Sequence, residues 1–406
     1  MANCIIAQSG GPTTVINASA AGLFRKNEEV KYFENVYAGI NGIEGILNKK
    51  IINLSHENSE DIKHFMNTPS SGLGSCRYKM KGYEIDDSEY KKLISILKEY
   101  NITTFFYIGG NDSMDTVAKL SAYMKENNIS INVIGIPKTI DNDLPITDHT
   151  PGFGSAAKLI STIALETYLD ASVYTNNGIF ILETMGRDTG WLAASACISK
   201  LYGHPVADFI YLPEVAFNGE KFIKDVAARF KEKNQVYIVA SEGLKDSNGK
   251  FLSELGTSSG HDNFGHAQLG GVGSFLKNII INSGITKRVK ALELGVIQRC
   301  AMHLASKTDL DEAYRVGEKA LELAIEGLNG YMAAIKRVSE NPYVSETFPV
   351  EASKVANSIK YFPSEWINKE NNNVTEEAFN YIAPLIEGSV SLDYDKYMPK
   401  FKVFSK

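Results

Sequence analysis

The sequence predicts an α/β protein made of two Rossmann-like, three-layer domains with a helical C-terminal extension. Three observations carry this reading. Short apolar runs recur along the chain and stop at glycines or charged residues. Segments of helical composition follow most of these runs, the pattern of a parallel sheet covered by helices. With 406 residues, 44% of them hydrophobic, the chain is long enough for two domains and a large core.

In order, "NCIIAQ" reads as a strand ending at Gly10-Gly11, and "TVINASAAGLFRKN" as the helix after it. "TTFFYIGG" is a second strand. The next helix, "SMDTVAKLSAYMKEN", carries Met114, Val117, Leu120 and Met124 at helical spacing. "INVIGIP" is a third strand. Runs this continuous suit strands buried on both faces. "FGSAAKLISTIALETYLDAS" reads as a helix, "GIFILET" as a strand stopping at Met185-Gly186-Arg187, and "TGWLAASACISKLYG" as the next helix. "DFIYLPE" and "QVYIVASEG" are strands ending near Glu214 and Glu242, with the helix "GEKFIKDVAARFKEK" between them. The Gly- and Ser-rich stretch Gly256 to Ser274 reads as loop. "KALELGVIQR" reads as a strand ending at Gln298-Arg299, and helical signal runs from Asp309 to about Lys336. The last 70 residues are mixed and carry no motif.

Bulk properties exclude several function classes. The formal net charge is -6, which gives no reason to expect nucleic acid or an anionic membrane as partner. No apolar run reaches about 18 residues, so no membrane-spanning helix is expected. The start, "MANCIIAQSGGP", has neither the basic opening nor the apolar centre of a signal peptide. Cys4, Cys76, Cys197 and Cys300 form no CxxC pair, which argues against a zinc site or disulfide framework and fits buried thiols in a reducing cytoplasm.

Ligands of open α/β sheets bind at the carboxyl ends of strands. The residues there are glycines, acids and cations. "SGGPTTVIN" puts Gly10 and Gly11 between a strand and a helix start, where backbone N–H groups meet an anion; a plain turn is the alternative. "GGNDSMD" adds Asn111, Asp112 and Ser113 after Gly110, suited to Mg²⁺ or to capping the next helix. Arg77 follows a small-residue loop and reads either as a phosphate contact or as a solvated arginine. "PKTIDND" is the most informative stretch. Pro137 ends the strand. Asp141 and Asp143 are two apart, which in extended chain puts both carboxylates on one side. Lys138 would keep a neighbouring acid ionised as a base, while a salt-bridged turn is the alternative. Arg187, Glu242, Gln298 and Arg299 are further strand-end candidates, with buried ion pairs as their alternative reading. His261, His266 and His303 show no metal-ligand spacing.

At these residues the chain resembles the phosphofructokinase family. The Gly10-Gly11 turn with Asn17, the Gly109–Ser113 turn, "TIDND" (Thr139 to Asp143), "MGR" (Met185 to Arg187), Glu242 and "QR" (Gln298, Arg299) stand in the family's order. They cover the chain to about residue 300. The resemblance implies the phosphofructokinase fold and Mg²⁺-dependent phosphoryl transfer to the 1-hydroxyl of fructose 6-phosphate, in both glycolytic and gluconeogenic directions. It implies Asp141 as general base, with Lys138, Thr139 and Arg187 at the reacting groups. The sugar would meet Thr139, Ile140, Asp141, Met185, Gly186, Arg187, Glu242, Lys290, Val296, Gln298 and Arg299. The donor would meet Gly11, Arg77, Gly110, Asn111, Asp112, Ser113 and Lys138, and the metal Asp112, Asn111 and Asp143. Residues 1–140 plus about 300–340 would form the donor domain, 141–299 the sugar domain facing it across a cleft, and 341–406 an extension on the core. A homodimer or homotetramer is implied, because some family sites borrow contacts from a neighbouring subunit.

The donor is set by two positions. ATP-using members resemble this chain but carry glycine where Lys138 and Asp112 stand; pyrophosphate-using members carry lysine and aspartate. A fixed ammonium at the transfer centre stabilises charge on the transferred and leaving oxygens. An aspartate in place of glycine adds bulk and negative charge where an α-phosphate would lie. The reading is therefore a pyrophosphate-dependent enzyme, with an ATP-dependent 6-phosphofructokinase as the alternative. Three departures stand out: Asn111 replaces the usual first acid of its turn, Asn177 and Gly178 stand where many members place a phosphate-binding arginine, and Val296 stands where His or an aromatic is common. Lys290, Arg299, Arg288 and Lys287 are then the cations left for the 6-phosphate. A nicotinamide-dependent oxidoreductase is disfavoured by the missing GxGxxG, and a non-catalytic sugar-phosphate sensor by the retained Asp141.

Overall fold

The computed structural model describes residues 2–175, 177–255 and 271–404. Thirteen strands lie among them: β1 (Asn3–Gln8), β2 (Val36–Gly39), β3 (Ile51–Asn53), β4 (Ile102–Gly109), β5 (Asn132–Pro137), β6 (Ile179–Thr184), β7 (Lys200–Leu201), β8 (His204–Pro205), β9 (Phe209–Tyr211), β10 (Val236–Ser241), β11 (Val289–Glu293), β12 (Tyr331–Glu340) and β13 (Tyr343–Glu351). The chain forms two compact units. The larger comprises residues 1–155, 299–359 and 388–406, and the smaller residues 156–298 and 360–387.

The larger unit is built on a seven-stranded sheet in the order β13-β12-β5-β4-β1-β2-β3. β1 pairs in parallel with β2 and β4, β4 with β5, and β5 with β12. Successive residues of β1 enter different cores. Ile6 joins Ile16, Leu23, Phe106, Ile134 and Val316 on one face, while Ile5 and Ala7 join Phe105, Tyr107, Val133 and Leu120 on the other. That two-sided burial explains why "CIIA" shows no polar alternation. The helices Ile16–Val30 and Lys307–Ile325 cover the first face.

The smaller unit holds a four-stranded parallel sheet, β11-β6-β10-β9. Its core draws Ile179 and Ile181 of β6, Ile238 of β10, Phe222 and Val226 of the helix Gly219–Lys233, and Leu276 of the helix Val272–Asn282. Residues 360–387 dock on it through rings: Phe362, Trp366 and Tyr381 lie with centroids 5.0, 6.0 and 5.2 Å from Trp191.

Three elements differ from the sequence reading. The helix expected at "TGWLAASACISKLYG" is a single α turn, Trp191–Ala194, followed by a 3₁₀ turn, Ser195–Ile198, and the β7-β8 hairpin. Serine hydroxyls engage the backbone instead of the next turn: Ser195 Oγ donates to the Leu192 carbonyl and Ser199 Oγ to that of Ser161. The strand expected through Arg299 stops at Glu293, because Gly295 takes φ +51° and a 3₁₀ turn carries Gln298 and Arg299. The helix expected to reach Lys336 ends at Ile325. Gly327 and Gly330, at φ +76° and +79°, turn the chain into β12, which continues the sheet through Tyr331↔Ile134 and Met332↔Gly135.

Candidate functional site

β1, β4 and β5 are parallel neighbours, so the Gly10-Gly11, Gly109–Ser113 and Lys138–Asp143 turns all follow the carboxyl ends of central strands of the larger sheet. Lys138 is the unusual group there. It is only 3% exposed, and its Nζ donates to the Gly11 carbonyl at 2.5 Å. Burial pushes this ammonium down and the charge of Arg299 pushes it further; Asp141 and Asp143 pull the other way, leaving it at about 8. At neutral pH the turn therefore holds a desolvated cation, which an arriving anion would stabilise.

The glycine pair makes room for the cations. Gly10 adopts φ +75°, and a Cβ there would lie 3.3 Å from Lys138 Nζ. A Cβ on Gly11 would lie 2.7 Å from Arg299 Nη1. Arg77 is exposed and close enough to bear on the Lys138 ammonium. Lys138, Arg299 and Arg77 thus gather positive charge around one glycine turn of a chain that is acidic overall.

Asp141 is half-buried, and its backbone N–H donates to Thr139 Oγ1 at 3.1 Å. The extended run expected from Asp141 to Asp143 is broken: Asn142 sits at φ +52°. Both carboxylates nevertheless bear on Lys138. Ile140 is 4% exposed, so any ligand contact there falls to its backbone.

The helix Asn111–Glu126 starts at Gly110, which has no side chain to cap it, and a helix start of this kind favours an anion. Asn111 is occupied elsewhere: its Nδ2 donates to the Ser358 carbonyl at 2.5 Å and its Oδ1 accepts from the Asn357 N–H at 2.7 Å. Ser113 is buried, and its Oγ donates to Ser9 Oγ at 3.0 Å. Asp112 is half-buried at the same helix start. Among the described residues no group of three or more His, Cys, Asp or Glu side chains could hold a metal alone. The two carboxylates expected at these turns, Asp112 and Asp143, suit Mg²⁺, which keeps several waters and takes one or two carboxylates together with substrate phosphates.

In the smaller unit, Ser241 pairs with Thr184, so Met185–Arg187 and Glu242 emerge side by side from β6 and β10. The Glu242 N–H donates to the Thr184 carbonyl at 2.8 Å. Gly186 takes φ +123°, its carbonyl accepting from Ser241 Oγ at 2.5 Å. A Cβ on Gly243 would stand 2.0 Å from the Arg187 carbonyl oxygen, so Gly243 is what lets the two turns touch. Gln298, 1% exposed, is internal: Oε1 accepts from the Met185 N–H at 3.2 Å and Nε2 donates to the Gly295 carbonyl at 3.0 Å.

Lys290 is not brought to this end. It pairs with Phe180, five residues before Met185, about 16 Å away along the strand at roughly 3.3 Å per residue. There it is exposed and makes a surface ion pair with Asp170 at 3.4 Å. Val296 is 64% exposed on the 3₁₀ turn. His261 and His266, and most of the loop expected from Gly256 to Ser274, lie outside the described residues.

Sequence reasoning missed one group in the larger unit. His149, Asp309 and Glu312 are each at most 2% exposed, and none had been singled out. Glu312 lies on a helix rich in charged residues, where nothing local marks it, and only the fold buries it.

The model of the family described as phosphofructokinase matches residues 3–324. The chain belongs to the phosphofructokinase family. A relative from Halomonas elongata named pyrophosphate--fructose 6-phosphate 1-phosphotransferase is 40% identical over all of this chain and 96% of its own length. One of the same name from Xanthomonas campestris is 41% identical over 98% of this chain and 95% of its own. The crystal structure of a pyrophosphate-dependent phosphofructokinase from Nitrosospira multiformis superposes with a TM-score of 0.89 at 36% identity, covering 98% of this phosphofructokinase chain and 95% of the other.

Proposed function

We propose that this phosphofructokinase transfers a phosphoryl group from pyrophosphate to the 1-hydroxyl of fructose 6-phosphate, reversibly and with Mg²⁺. The observation that carries the donor assignment is the buried Lys138 ammonium against the Gly11 carbonyl, beside Arg299. A bare diphosphate brings dense charge and no nucleoside to anchor it, so a preorganised, desolvated cation is the counterpart it needs. The names of the full-length relatives support the same donor and acceptor.

In this reading Asp141 takes the proton of the sugar hydroxyl, held at its place by the Thr139 contact. Lys138 donates to the phosphoryl oxygens on which charge builds, and Gly11, Arg77 and the Gly110–Ser113 helix start hold the remaining phosphate. Asp112 and Asp143 are the carboxylates assigned to Mg²⁺, which when bound neutralises phosphate charge. Met185, Gly186, Arg187 and Glu242 orient the sugar, and Gln298 acts behind them by fixing the Met185 amide. Assembly as a homodimer or homotetramer in the cytoplasm belongs to the same proposal.

The test is a paired donor assay: purified enzyme, fructose 6-phosphate and Mg²⁺, with pyrophosphate or ATP. Turnover with pyrophosphate at least a hundredfold above that with ATP is expected. Brisk turnover with ATP and none with pyrophosphate would overturn the donor assignment.

A further inference from the structure

The loop that carries Asp141 is held in an unfavourable backbone by groups outside those assigned to the substrates. Between Thr139 and Gly152 two residues with side chains have positive φ: Asn142 at +52° and the β-branched Ile146 at +67°. Isoleucine strongly resists that region, so the conformation persists only where the surroundings over-determine it. Those surroundings are in the larger unit. Thr147 Oγ1 accepts from the Ile335 N–H at 3.0 Å, and the Asp148 N–H donates to the Ile335 carbonyl at 2.8 Å, tying the loop to β12. Thr150 Oγ1 donates to the Thr139 carbonyl at 2.9 Å, closing the loop on itself.

The other half of the hold comes from the helix Lys307–Ile325. Its Asp309 carboxylate accepts from the Gly152 N–H at 2.8 Å and the Ser155 N–H at 2.9 Å. One turn on, Glu312 Oε2 meets His149 Nε2 at 2.5 Å, while His149 Nδ1 meets Asp148 Oδ1 at 2.8 Å. With a carboxylate on each ring nitrogen, His149 donates from both as an imidazolium. Arg337 donates to Asp148, and Tyr343 and Ser345 donate to Glu312, so both carboxylates have further donors besides the imidazole.

We propose that Asp309, Glu312 and His149 are positioning residues that hold the Thr139–Gly152 loop, and with it the base Asp141, in its reacting geometry. This rests on Asp141 being the base, as proposed above. The experiment compares wild type with Glu312→Gln and His149→Asn, and with the double variant. Kinetics use pyrophosphate, or ATP if the wild type uses that, so an error about the donor does not obscure the result. Each variant is assayed well below its own unfolding temperature, and backbone hydrogen exchange of residues 139–150 is followed by mass spectrometry. The single variants should lose at least tenfold in kcat while the KM for either substrate stays within threefold. Exchange of the loop should quicken at least tenfold. The double variant should be no worse than the poorer single one. Folded variants with kcat within twofold of wild type would overturn the proposal, as would loop exchange unchanged from wild type. If Asp141→Asn leaves turnover intact, the base assignment fails, while the exchange data still decide whether the clamp exists.

Discussion

The Arg299 guanidinium repels the buried Lys138 ammonium, and together with burial it brings that lysine down to about 8. Two cations are thus held near one glycine turn, an arrangement that favours neither until an anion comes between them.

Replacing Lys138 by Met should lower kcat with pyrophosphate by about 10²- to 10³-fold, the range seen for losing one preorganised donor. The wild-type kcat/KM should fall as pH rises through about 8, because deprotonation removes the charge. That limb should vanish in Lys138→Met. A pH–rate comparison of the two enzymes checks both statements.

The same residue should weaken the fold at neutral pH. Its folded value lies below the unfolded value of about 10.4, so the unfolded chain binds more protons between the two, and stability rises with pH across that window. Below about 8 the full penalty applies, on the order of 3 kcal/mol. Lys138→Met should therefore unfold at higher denaturant than wild type at pH 7, with the gap closing by pH 10.

Gly243→Ala should disturb the turns proposed to hold the sugar. Its Cβ would fall 2.0 Å from the Arg187 carbonyl, a backbone atom that cannot swing aside like a side chain. We expect the KM for fructose 6-phosphate to rise at least tenfold while the KM for the donor holds. An unchanged sugar KM in a folded variant would detach Arg187 from sugar binding.

Much of this architecture is legible in the sequence because the local signals agree. "CIIA" and "FFYIG" are apolar on both faces and lead into glycine turns, which leaves little but a buried parallel strand. The β12-β13 hairpin was not legible. "YMAAIK" has the alanines of a helix, and only pairing with β13 along its length and with β5 at Tyr331 and Met332 makes it a strand. Gln298 was picked out, but its role was not, since a glutamine facing the Met185 amide and one facing solvent look alike in sequence. His149 and Glu312 stand 163 positions apart, and no local pattern joins them.

Ile146 offers a test of stored strain that needs no catalysis. Its side chain is 50% exposed, so little burial is at stake, while its φ of +67° is disfavoured for a β-branched residue by about 1–2 kcal/mol. Asparagine tolerates that region far better. Ile146→Asn should therefore stabilise the protein by ~1 kcal/mol, read as a later midpoint in urea at unchanged slope. In Glu312→Gln, where the clamp is weakened, the same change should restore part of the lost kcat. A midpoint that moves earlier would mean that the Ile146 side chain contributes more through its contacts than its backbone loses, and the loop would then need no clamp to explain it.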